Sequence, residues 1–67
     1  MSLKMVIQDY KRDHELTYRN LAERTTVSKR TLEAYGNGEK RTINYTTAKK
    51  LCRGLDIELE LLEEFIR

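Results

Sequence analysis

Lys29, Arg30 and Thr31 stand together at the start of a helix-forming stretch. On residue type alone they read as a solvated helix start, or as hydrogen-bond donors for an anionic partner. A second basic pair, Lys40 and Arg41, lies in a polar loop and reads either as a solvated loop or as a phosphate clamp. Groups suited to covalent chemistry are scarce. No Ser/His/Asp set, no paired-acid site and no Gly-rich phosphate loop can be assembled from these residues. Cys52 falls in an apolar stripe and reads as a small buried hydrophobe. His14 stands alone near a helix end and reads as a surface residue or cap. One Cys and one His cannot supply the four ligands of a structural zinc site or form a disulfide within the chain. The expectation is a protein that is not an enzyme and uses no cofactor, metal or small-molecule ligand.

Length and charge narrow the classes further. A chain of 67 residues has room for one domain, 1–67, and none for a Rossmann unit or a barrel. A domain this small buries only about 60% of the surface its unfolded chain exposes. Nothing approaches the ~18 apolar residues of a membrane span, so the expected compartment is the cytoplasm. The net charge of +2 hides a division. Residues 1–53 hold twelve bases and six acids, a net of +6, while residues 54–67 hold one base and five acids, a net of −4. A basic body with an acidic end fits an anionic partner on one face, or simply a solvated acidic helix.

The elements that position these residues are helical. Proline is absent, and the glycines are confined to 36, 38 and 54. Leu3, Val6, Ile7 and Tyr10 follow helical spacing, which predicts a helix over residues 3–14 with Ser2 as N-cap. Thr17 and Ser28 are the next N-cap candidates. Leu32 and Tyr35 share a face of the third helix, and Gly36-Asn37-Gly38 ends it. Asn44 caps a fourth helix, with Ile43 and Ala48 placed as a hydrophobic staple and Ala48, Leu51, Cys52 and Leu55 as its buried stripe. Residues 59–66 predict a fifth. The fold class expected is therefore all-α, a compact set of five short helices.

Residues 17–38 are the most specific stretch. Two helices are separated by only about three residues, and a small residue, Ala22, sits opposite the turn, as a tight helix-turn-helix requires. The second helix of the pair turns Lys29, Arg30, Thr31, Glu33 and Ala34 outward. An α-helix with such short or basic side chains fits the DNA major groove. Leu21-Ala22-Glu23-Arg24, Val27-Ser28-Lys29-Arg30-Thr31-Leu32 and Tyr35-Gly36-Asn37-Gly38 resemble the helix-turn-helix of phage repressors and Cro-type proteins. Leu51-Cys52-Arg53-Gly54-Leu55-Asp56-Ile57 and Leu59 with Leu62 resemble that family's fourth and fifth helices. The chain departs from the pattern at several places. Thr26 stands where the turn usually has glycine, Thr25 where a large apolar residue is usual, Tyr18 where a Gln is frequent, Gly36 for a Glu, and Glu58 for a Ser or Thr cap.

The resemblance implies that Lys29, Arg30 and Thr31 face base edges, and that Tyr18, Ser28, Asn37, Lys40 and Arg41 hold backbone phosphates. It implies a sequence-specific regulator of duplex DNA, a small repressor or Cro-like protein of a phage, prophage or mobile element. It also implies a homodimer on a pseudo-palindromic operator. In an α-helix over residues 59–66, Leu61 and Phe65 would share a face apart from Leu59, Leu62 and Ile66. That face is either part of a wide core stripe or a dimer seam. Two other uses of the same fold remain open: an antitoxin-type protein-binding module that also binds DNA, and a DNA-packaging or recombination accessory.

Overall fold

The computed structural model describes residues 1–67 and contains four α-helices: α1 (Leu3–Asp13), α2 (Tyr18–Thr25), α3 (Lys29–Gly36) and α4 (Tyr45–Leu55). Each opens on a side-chain cap. The Ser2 hydroxyl accepts from the Met5 amide, Ser28 from Thr31, and Asn44 from Thr47. At Thr17 the capping is reciprocal, because Asn20 reaches back to the Thr17 amide while the Thr17 hydroxyl accepts from the Asn20 amide. Replacing such a cap typically costs ~1 kcal/mol. In a chain this short, local signals of that size decide where helices start.

All four helices point their apolar stripes at one core. Leu3 and Ile7 come from α1, Leu21 from α2, Leu32 and Tyr35 from α3, and Ala48, Leu51 and Leu55 from α4. The Tyr10 hydroxyl does not reach the solvent freely. It donates to the Leu55 carbonyl at 3.0 Å, and so satisfies one of the carbonyls left open where α4 ends.

The expected fifth α-helix is not formed. Residues 59–66 fold as two separate 3₁₀ turns, Leu59–Leu61 and Glu63–Phe65. Their hydrogen bonds join residues three apart: Leu62 to Leu59, Phe65 to Leu62, Ile66 to Glu63. The three-residue period turns Leu62 and Phe65 to the same side, into the core. The chain then runs back beside the segment that leads into α4, where the Ile43 amide donates to the Phe65 carbonyl and its carbonyl accepts from Arg67 in a single parallel bridge between Ile43 and Ile66.

Candidate nucleic-acid interface

The turn between α2 and α3 is built by two threonines. Thr25 is only 2% exposed. Its hydroxyl donates to the Leu21 carbonyl at 2.7 Å and accepts from the Val27 amide at 3.2 Å. A polar residue at this buried position therefore works as a clasp across the turn. Thr26 takes the left-handed conformation at φ 61° and closes α2 through its amide to Ala22. A β-branched residue in that region is strained, so the turn is retained by the packing on either side of it.

Gly54 explains how α4 can lie against this turn. A Cβ at that position would stand 2.5 Å from the Arg24 carbonyl oxygen and 2.6 Å from the Thr25 Cα. The two backbones meet there without an intervening side chain. Ala22, the small residue expected opposite the turn between α2 and α3, is half-buried at the margin of the core.

Lys29 and Arg30 project from the first turn of α3 and are exposed. Thr31 is half-buried, and its hydroxyl accepts from Ser28 at 2.8 Å while its own proton remains free to donate. Arg30, Thr31, Ala34, Glu39 and Lys40 line one groove, so the loop after α3 is brought beside the helix. Gly38, at φ 80°, makes this possible, and the Glu39 and Lys40 amides both return to the Ala34 carbonyl. Asn37, Lys40 and Arg41 are exposed along the loop. The three ion pairs of the molecule involve only Arg12 and Arg19 as bases, so Lys29, Arg30, Lys40 and Arg41 are all unpaired.

Tyr18 is placed differently. It is half-buried at the start of α2, with its ring under the Lys11 ammonium at 3.9 Å. The Gln8 amide donates to the Tyr18 hydroxyl at 3.1 Å and to the Gly36 carbonyl at 2.9 Å. Any side chain at position 36 would run into the Tyr18 hydroxyl. The two departures at 18 and 36 therefore compensate each other, and Gln8 ties the first turn of α2 to the last turn of α3. Neither Gln8 nor Lys11 was picked out from the sequence. The available signal was a polar residue set beside the apolar stripe of α1.

Leu61 and Phe65 are not on a common face. Phe65 is 9% exposed and belongs to the core, while Leu61 is 46% exposed. The expected seam pair is corrected accordingly: the 3₁₀ geometry parts the two residues, and only Leu61 is presented outward.

Burial pushes the Cys52 thiol above its usual pKa, which lowers its thiolate fraction and its reactivity. No three His, Cys, Asp or Glu side chains come together to hold a metal. No helix is long and apolar enough to cross a membrane. What the surface offers is a row of unpaired hydrogen-bond donors around a short, braced helix.

Comparison with known proteins found no matching curated protein and no matching solved structure. The family model of the Cro/C1-type HTH DNA-binding domain, by contrast, matches residues 6–67, nearly the whole chain, and the protein belongs to that family.

Proposed function

We propose that the protein is a transcriptional regulator that binds duplex DNA sequence-specifically and acts as a repressor by occupying an operator as a homodimer. The observation that carries this reading is the unpaired Lys29 and Arg30 at the exposed start of a helix capped at Ser28. With α3 in the major groove, Lys29, Arg30 and Thr31 read base edges, Arg30 being suited to guanine O6 and N7. Ser28, Asn37, Lys40, Arg41 and the Tyr18 hydroxyl hold phosphates and set the register. Leu61, one of four exposed large apolar side chains with Met1, Met5 and Tyr45, contacts the second copy in this reading. A phage, prophage or mobile element is the source in which such a small regulator is expected.

Selection of bound sequences from random duplex DNA, with the mass of the free protein measured alongside, tests the proposal. A palindromic site and a dimer mass are expected. Each neutralised phosphate adds about −0.9 to the slope of log K against log salt, so the slope should be several units. A binding constant flat between low and physiological salt would remove the DNA reading.

A further inference from the structure

We infer that the cavity between the start of α1 and the α3–α4 loop seats one backbone phosphate of duplex DNA, with Lys4 as a contact that completes it. The inference rests on the reading proposed above and extends its phosphate-holding surface onto α1. Ser2, Lys4, Asn37, Gly38, Lys40 and Arg41 line this cavity of about 420 Å³. It contains three cations and no acid. None of the three is in an ion pair. The first turn of α1 carries no acidic residue either. The Ser2 hydroxyl caps the Met5 amide, which leaves the Leu3 and Lys4 amides without partners within the helix.

Two further observations place Lys4 in the site and the site on the DNA side. The Lys4 stem lies against the loop, its Cδ 3.5 Å from where a Cβ on Gly38 would stand. Lys4 is thus brought to the same cavity as Lys40 and Arg41. Lys40 also lines the groove that holds Arg30 and Thr31. Lys40 therefore gives continuity between two sites, one holding Arg30 and Thr31 beside Glu39, the other holding Lys4 and Arg41. A phosphate oxyanion is the ligand this chemistry takes, and that continuity favours a phosphate of the bound duplex over a free one.

The test uses Lys4→Gln, Lys4→Arg and Lys40→Ala, each with the selected duplex and with a mixed-sequence duplex across a range of salt. Lys4→Gln should flatten the salt slope by about 0.9 per subunit and leave sequence preference unchanged. Lys4→Arg should keep the slope. A slope unchanged by Lys4→Gln but flattened by Lys40→Ala would overturn the Lys4 contact while leaving the proposed regulator standing. If neither variant flattened the slope, the proposed regulator would fail with it. The source of the phosphate is read from the Lys4 and Gly38 amide resonances during titration. They should shift on adding duplex and stay in place on adding inorganic phosphate at the same concentration. Equal shifts with inorganic phosphate would overturn the assignment to DNA.

Discussion

At the scale of single residues, the interface divides into side chains that would read sequence and side chains that would hold position. Arg30 is exposed, unpaired and mounted on a capped helix, so its guanidinium is free to make a two-pronged contact with one base. Arg30→Ala is expected to cost ~1–3 kcal/mol of binding and to relax preference at one or two base pairs of each half-site. Binding measured against a set of single-base operator variants checks this. A uniform loss across all variants would mean that Arg30 holds a phosphate instead. Thr31 differs from its neighbours because Ser28 donates to its hydroxyl. It therefore presents one orientation and one free proton, which suits a fixed reader better than a mobile one. The basic cluster at 29–31 was legible in the sequence because a cap followed by outward basic residues is a local pattern. Gln8, Lys11 and Lys4 were not, because their roles depend on Tyr18, Gly36 and Gly38, which lie 7 to 34 positions away in the chain.

At the scale of elements, the α2–α4 crossing controls how firmly the helix-turn-helix is held. Helix propensity alone predicts that Gly54→Ala stabilises α4 by roughly 1 kcal/mol. The structure predicts the opposite sign, since the new methyl would stand 2.5 Å from a backbone carbonyl that cannot rotate away. Overpacking of this kind costs ~1–3 kcal/mol, so Gly54→Ala should lower the thermal midpoint. A raised midpoint would show that α4 can slide off α2 at little cost. The four helix starts were legible because Ser2, Thr17, Ser28 and Asn44 announce them within three residues. Thr26 stood out in the sequence only as a departure from the usual glycine, and the structure keeps the left-handed turn there. The C-terminal segment was misread because Leu59, Leu62 and Ile66 follow the 3.6-residue period, whereas Leu59, Leu62 and Phe65 follow the period of three that the chain adopts. The choice between periods depended on the return of the chain to Ile43, a pairing across 23 residues.

At the scale of the whole molecule, a small core and a divided charge set how the protein responds to its medium. Burial pushes the Tyr35 hydroxyl above its usual pKa. Its folded value is raised, so its contribution is fully present below the usual tyrosine range and is lost as pH rises through the folded value. Thermal midpoints followed to alkaline pH should fall, and Tyr35→Phe should fall less steeply; an identical fall would mean that Tyr35 titrates alike in the folded and unfolded states. Salt should act in opposite directions on the two associations. DNA binding weakens as salt rises. A two-fold contact through Leu61 would bring the same patch together from both copies, and that patch is flanked by exposed Glu60, Glu63 and Glu64. Screening of those like charges, over a Debye length of about 10 Å at 0.1 M salt, should tighten the dimer. Leu61→Glu removes the apolar anchor and adds to the repulsion, so sedimentation should give a monomer whose helical circular dichroism is unchanged. Phe65→Lys instead puts a charge into the core and should unfold a chain of this size. A Leu61→Glu protein that kept its dimer mass would place the two-fold axis elsewhere, and a Phe65→Lys protein that stayed folded would return Phe65 to the surface.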